Sequence, residues 1–332
     1  MYYNIHNLIG VESNIRILPE FFEGKPKKID LVIKQGDFSF DKSESNKLGL
    51  KFSGGNDTLY LEYPFYGKSI QKLLLKNIKG DRTEFYFTKF THSMFGVAGL
   101  VTYLLQLKLL QKGCTFVHAG GLTKEGKALL ITAWSEMGKS STIFGLAGKD
   151  FGVLGDDAVI VGKDGNVYSF PHKAGIFFHS KNIENLKLSM IDKSKVFMKY
   201  LIAKLPPLHL YIDPNLRIDL SKLLPIEKSG KLGDIYFLEW GNGVAKVDKK
   251  TAINKMVSAT LHSLLGDHFT KETFFAYSYL NNFDPQFVER GMVDVLNKVV
   301  KNCKIIRSTK KDFYKYFLTK YGGDATKNGV QL

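Results

Sequence analysis

The feature that most restricts the fold of this chain is the run ALLITAWSEMGKSSTIFGLAG, from Ala128 to Gly148. ALLIT reads as a short buried strand, and SSTIFGLAG opens with hydroxyl residues as a helix start does. Between them, Ala133, Gly138, Lys139 and Ser140 satisfy the spacing of a phosphate-binding loop: Gly or Ala, four free positions, then Gly-Lys-Ser/Thr. The chemistry accounts for the spacing. Successive backbone N–H groups make a concave anion nest, and the helix that follows adds its positive end. Lys139 then reaches the β- and γ-phosphates, and the Ser140 hydroxyl is placed to ligate Mg²⁺. The candidate nucleotide-binding positions are Ala133, Ser135, Glu136, Met137, Gly138, Lys139, Ser140 and Ser141. The plain alternative is an ordinary helix start capped by Ser135 or Ser140.

Two further elements bear on the loop. Asp156 and Asp157 end the apolar stretch FGVLGDD and are followed directly by AVIV. A strand that ends in a carboxylate beside such a loop supplies a Mg²⁺ ligand. With two adjacent acids, one can hold metal while the other takes a proton from an attacking hydroxyl. Apolar residues on both sides argue against a solvated turn, because buried carboxylates need a cation near them. His118, in TFVHAGGL, lies on the strand expected before the loop. Taken alone, it reads as a satisfied core histidine.

Around this centre the chain is organised by pattern. The first 90 or so residues of the 332 read as β-rich, with KIDLVIKQGDF, TEFYFTKF, and a hairpin signal at Gly54-Gly55-Asn56-Asp57. MFGVAGLVTYLLQLKLLQ reads as a core helix at roughly 92–112, since Gln106, Lys108 and two glycines interrupt it as a membrane span. TFVHAGGLTKEGKALLITA reads as two strands around Lys124-Glu125-Gly126. FGVLGDDAVIV reads as one strand, turning at Asp164-Gly165 into NVYSF. DIYFLEW and KIIRS are strands, and TAINKMVSATLHSLL, PQFVERGMVDVLNKVVKN and DFYKYFLTKY are helical. The expected organisation is a β-rich region at 1–91, an α/β domain at 92–321 and a disordered tail at 322–332.

Composition narrows the partners. At 44% hydrophobic and 24% charged residues a sizeable core is available. The net charge of +15 is carried by lysine, with arginine only at Arg16, Arg82, Arg217, Arg290 and Arg307. Lysine is a hydrated point charge that reads bases poorly, so the excess favours anions in general rather than nucleic acid. Two cysteines, Cys114 and Cys303, make no disulfide framework, and the N-terminus has no signal-peptide pattern. A reducing, cytoplasmic setting is the expectation.

VHAGGL, ALLITAWSEMGKSS and VLGDDAVIV together resemble the nucleotide-binding core of the HPr kinase/phosphorylase family, whose superfamily includes the ATP-dependent phosphoenolpyruvate carboxykinases. The resemblance covers residues 115 to 170. It implies a compact α/β P-loop core with a mixed sheet, here preceded by the β-rich region and followed by helices. Position by position, it implies that Lys139 contacts the β-phosphate and that Ser140 and Asp157 hold Mg²⁺. Asp156 matches the general base toward a serine hydroxyl, and His118 lies near the transferred phosphate. Relatives assemble into oligomers, which implies a homo-oligomer here. Ala133 and Glu136 stand where family loops carry glycine. No segment matches the downstream Gly/Arg signature of the bacterial enzymes, so neither HPr as acceptor nor the phosphorylase reaction is implied.

The leading expectation is a Mg-ATP-dependent kinase acting on a hydroxyl, the acceptor being a serine of a small protein or peptide or a small-molecule alcohol. A non-catalytic nucleotide-binding regulator or scaffold is the alternative from another class, favoured by Glu136. A nucleic-acid ATPase, suggested by the basic stretch from Lys298 to Lys315, reads better as a solvated helix face.

Overall fold

A computed structural model of the chain describes residues 1–43, 45–65, 69–134, 137–147, 149–176, 188–203, 216–310 and 312–321. Ser135, Glu136 and the expected tail at 322–332 lie outside them. The chain is mixed α/β, with two mixed sheets as its main layers. It forms two compact units. The first is Met1–Thr115 with Thr260–Asp294, and the second is Phe116–Ala259 with Val295–Leu332.

The first unit is built on an eight-stranded sheet. Its order is Tyr2–Ile5, Ile9–Ser13, Leu31–Gln35, Thr83–Phe87, Ser69–Lys76, Thr58–Phe65, Phe52–Gly55 and Asn46–Leu48. Leu31–Gln35 runs parallel to both of its neighbours, and the other pairs are antiparallel. The hairpin signal is fulfilled: Asn56 and Asp57 take φ values of 51° and 58°, the conformation of a two-residue turn. The long apolar segment does not form one helix. It divides into Lys89–Phe95 and Ala98–Gln111, with Gly96 closing the first at φ 66°, a positive φ that glycine adopts without a Cβ penalty. Among the described residues no helix is long and apolar enough to cross a membrane. The polar residues that interrupt the segment are buried and satisfied. Gln106 donates to the Thr115 hydroxyl at 2.9 Å, and Lys108 donates to the Gly80 carbonyl. Burial lowers the Lys108 pKa to about 8, against the pull of Asp30, Asp57 and Asp81.

The sheet of the second unit has the order Gly152–Gly155, Gly120–Lys124, Lys127–Ala133, Ser229–Glu239, Asn166–Ser169, Val159–Gly162 and Cys114–Val117, the last strand entering this unit at Phe116. Ser229–Glu239 is long enough to carry a second neighbour. Asn302–Arg307 pairs parallel to its C-terminal half, and Gly243–Lys246 pairs with Asn302–Arg307. Helix Lys139–Leu146 buries Ile143, Phe144 and Leu146 in a cluster with Leu122, Ile131, Val153, Tyr236 and Phe317. The closing helix, Tyr314–Tyr321, is held over this cluster by a polar knot. The Tyr236 and Tyr321 hydroxyls lie 2.6 Å apart and 3.0 and 2.8 Å from Asp234 Oδ2, so their two protons serve three contacts. The hydroxyl of buried Tyr236 is thereby satisfied.

Two expected strands are broken, and both breaks matter. TFVHAGGL leaves the ladder at His118-Ala119, between Cys114–Val117 and Gly120–Lys124. FGVLGDDAVIV is not continuous either: Gly152–Gly155 ends, Asp156-Asp157 make a bend, and Val159–Gly162 begins a new pairing. A side chain inside a ladder points to one face or the other, whereas a residue in a break is free to project beyond the sheet end. Glycine permits the second break. A Cβ at Gly155 would meet the Ala158 carbonyl oxygen at 2.3 Å, and a backbone oxygen cannot swing aside. Gly155→Ala is therefore expected to cost about 1–3 kcal/mol. Urea unfolding that matched wild type would contradict this account of the bend.

Candidate functional site

Strand register assembles the site. Gly120–Lys124 lies antiparallel between Lys127–Ala133 and Gly152–Gly155, with Gly120 opposite Ile131 and Gly121 opposite Gly155. The two outer strands consequently run the same way. Their C-terminal ends, leading to the loop and to Asp156, meet where the middle strand begins, beside His118. The Thr132 hydroxyl ties this corner by donating to the His118 carbonyl at 3.1 Å.

The loop leaves Ala133, which is buried, and Trp134, which is 58% exposed. Met137 N–H returns to the Trp134 carbonyl at 3.3 Å. Gly138 precedes helix Lys139–Leu146 at φ 93°, a left-handed conformation that glycine adopts without a Cβ penalty. Gly138 is itself the N-cap residue and has no side chain to offer the first turn; Ser135, one of the two serines of the capped-helix alternative, lies outside the described residues. The Gly138 carbonyl accepts from the Thr142 amide and hydroxyl. Ser140 and Ser141 sit half-buried in the first turn, where helix N–H groups lack intrahelical partners.

Lys139 is the centre of the cluster. Its side chain is 8% exposed, and Nζ donates to Asp157 Oδ1 at 2.8 Å and lies 3.0 Å from His118 Nε2. Asp156 is 4% exposed, and its Oδ1 has no hydrogen-bond partner among the described residues. Desolvation and the adjacent Asp157 charge raise its pKa, while Lys139 and a hydrogen bond from the Ser140 side chain pull the other way. Asp157 is 52% exposed on its side chain. Desolvation there is outweighed by the Lys139 charge and hydrogen bond, with His118 and His172 adding, so its pKa is lowered.

The structure thus brings His118, Lys139, Ser140, Asp156 and Asp157 into one corner, with Ala133, Met137, Gly138 and Ser141 along the loop and its helix. His172 joins this group by its field on Asp157 and its ring contact with Phe170 at 5.0 Å. Sequence reasoning passed it over, because histidine after a hairpin carries no spacing that marks a site. It also missed a cavity of about 470 Å³ beside the loop, lined among others by Trp134, Met137, Glu239 and Trp240. Among the described residues no three His, Cys, Asp or Glu side chains cluster as metal ligands. A Mg²⁺ bound through one or two carboxylates and substrate phosphates needs no such cluster. The groups that would hold that ion are the Ser140 hydroxyl and the adjacent Asp156 and Asp157 carboxylates, one oxygen of Asp156 having no hydrogen-bond partner among the described residues.

The second unit is a mixed α/β domain with a loop–helix junction and a lysine–carboxylate–histidine cluster at one sheet end. No model of a known protein family matches the chain, and no curated protein matches it.

The raised pKa of Asp156 has a consequence for stability. Between the ordinary carboxylate value of about 3.9 and its raised value, the folded state binds more protons than the unfolded state. Stability is therefore lost as pH rises through that window. Asp156→Asn removes the titration and keeps the shape. It is expected to raise Tm by about 2–4 °C at pH 8, the shift that roughly 1 kcal/mol gives in a domain of this size, with a smaller gain at pH 5. Thermal unfolding showing the same difference at both pH values would exclude the effect.

Proposed function

We propose that this chain is a Mg-ATP-dependent kinase that transfers the γ-phosphoryl group to a hydroxyl, using a P-loop core like that of the HPr kinase/phosphorylase family. The observation that carries the reading is the Lys139 ammonium. It is buried in the first turn of the helix that follows Gly138 and held between Asp157 and His118, next to a second carboxylate of raised pKa. Phosphate oxygens arriving at the helix N-terminus would take over Lys139 from Asp157, replacing one anionic partner with another. The Asp157–Lys139 pair then keeps the lysine charge compensated before nucleotide binds.

We assign the base to Asp156. Its raised pKa brings it toward neutrality, where a general base works best. It accepts the acceptor's proton as the new O–P bond forms and the bond from the γ-phosphorus to the β-bridging oxygen breaks, with the electron pair leaving on ADP. Lys139 and the loop amides hold the charge that develops on the phosphate oxygens. Ser140 and Asp157 would hold Mg²⁺, which when bound neutralises the triphosphate. Access argues for exchanging the two acids, since Asp157 is the more exposed. The acceptor class remains a hydroxyl on a small protein, peptide or small molecule.

The test uses γ-labelled ATP with Mg²⁺ in a source-cell extract. Wild type is expected to label one acceptor, and Asp156→Ala to reduce the rate about 10²–10⁴-fold at every Mg²⁺ concentration. Asp157→Asn is expected instead to raise the Mg²⁺ requirement. The reverse pattern would exchange the two roles. Tight ATP binding that Lys139→Ala abolishes, without transfer, would replace the kinase by a non-catalytic nucleotide-binding regulator.

A further inference from the structure

The cavity beside the loop lies at the C-terminal ends of two parallel strands, Lys127–Ala133 and Ser229–Glu239. Ala133 pairs there with Leu238. Its lining includes Ala133, Trp134 and Met137 from the loop, but none of His118, Lys139, Asp156 or Asp157. It is therefore a compartment separate from the polar corner, joined to it by the loop itself. Trp134 and Trp240 are 58% and 59% exposed, and they are the chain's two tryptophans. Both line this one cavity. Large aromatic side chains left half in water around a concave site mark ligand recognition more than packing.

The opposite wall is polar and fixed. Glu239 accepts from Lys255 Nζ at 2.8 Å and lies 3.3 Å from Arg307 Nη2. Burial alone would raise the Glu239 pKa, but these two cations lower it, so the wall keeps an ionised acceptor with its charge balanced. Asn254 and Ser258 add an amide and a hydroxyl from the same helix, Lys249–Leu264. An occupant must therefore offer a broad π-face to indole and a polar edge to these groups. At about 470 Å³ the cavity falls within the ~300–1,000 Å³ that small-molecule sites span.

We infer that this cavity is the seat of the purine base of the donor nucleotide, with the base against Trp134 and Trp240 and its polar edge toward Asn254, Ser258 and Glu239. The inference rests on the reading of the loop as a triphosphate site. A purine presents more stacking surface than a pyrimidine, so the cavity selects the donor by base size as well as by edge chemistry. The phosphates lie along the loop and the base at its entrance. The corner of Asp156, Asp157 and His118 is left open to the acceptor.

Calorimetric titration with Mg²⁺ separates the base site from the phosphate site. The probes are ATP, CTP and inorganic tripolyphosphate, and the proteins are wild type, Trp240→Ala and Lys139→Ala. Trp240 is mostly exposed, and circular dichroism checks that its replacement leaves the fold intact. ATP is expected to bind wild type at least about tenfold more tightly than CTP or tripolyphosphate and to quench tryptophan fluorescence. Trp240→Ala is expected to weaken ATP about tenfold or more, the scale of one lost base–aromatic stack, and to leave tripolyphosphate unchanged. Lys139→Ala weakens all three. Equal binding of ATP, CTP and tripolyphosphate to wild type, with ATP unaffected by Trp240→Ala, would overturn the base site while leaving the phosphate site standing. No binding of any probe to wild type would overturn both.

Discussion

The site depends on one constraint of sheet geometry: a single antiparallel strand, Gly120–Lys124, held between two strands that run the same way. Because hydrogen-bonded neighbours fix direction, the ends of Lys127–Ala133 and Gly152–Gly155 must emerge at the same edge, where the middle strand starts. His118, the loop and the Asp156-Asp157 bend are drawn to one corner from stretches about twenty residues apart. A slip of one residue would turn every side chain of a strand to the opposite face. The buried sets on these strands (Leu122, Ile131, Val153 on the face under helix Lys139–Leu146) hold the register against such a slip.

The electrostatics of the corner follow from that convergence. A lysine at 8% exposure needs a partner, and the bend supplies two carboxylates for it. They cannot both be accommodated equally. Asp157 takes the direct contact and faces two histidines, so its charge is held. Asp156 is left deeper, beside its neighbour's charge, with one oxygen unpartnered among the described residues. Two adjacent aspartates thus acquire opposite tendencies from position alone, as paired acids with different surroundings do. The same arrangement explains why the corner holds together before any ligand arrives: the ion pair offsets part of the cost of burying Lys139.

Much of the local structure was legible. The Asn56-Asp57 turn came from residues that tolerate positive φ and the Lys124-Glu125-Gly126 turn from its glycine, with Glu125 also drawn to a positive φ that its side chain does not favour; the loop-to-helix junction came from its glycine and hydroxyl pattern. The spacing of Gly138, Lys139 and Ser140 located the loop half of the corner, and the Asp-Asp pair located the other. The breaks at His118-Ala119 and Asp156-Asp157 were not legible, because an apolar run gives no sign of where its pairing partner changes. Nor was helix His268–Asn281, whose aromatic and β-branched residues disguise a helix that Asp267 caps through Thr270 N–H at 2.7 Å. Its inclusion with 1–115 in one compact unit joins residues more than a hundred apart. No local pattern encodes a long-range return of that kind.

By itself, the sequence determined which residues could bend, cap, pair charges or meet phosphate, since those properties belong to single side chains and short spacings. Tertiary structure decided which of them meet. The parallel pairing of Lys127–Ala133 with Ser229–Glu239, a hundred residues later, brought Trp240 to the same cavity as Trp134. The antiparallel middle strand brought His118 to Lys139. Contacts of this range depend on burying whole faces of a sheet together, a cooperative quantity that no stretch of sequence carries alone.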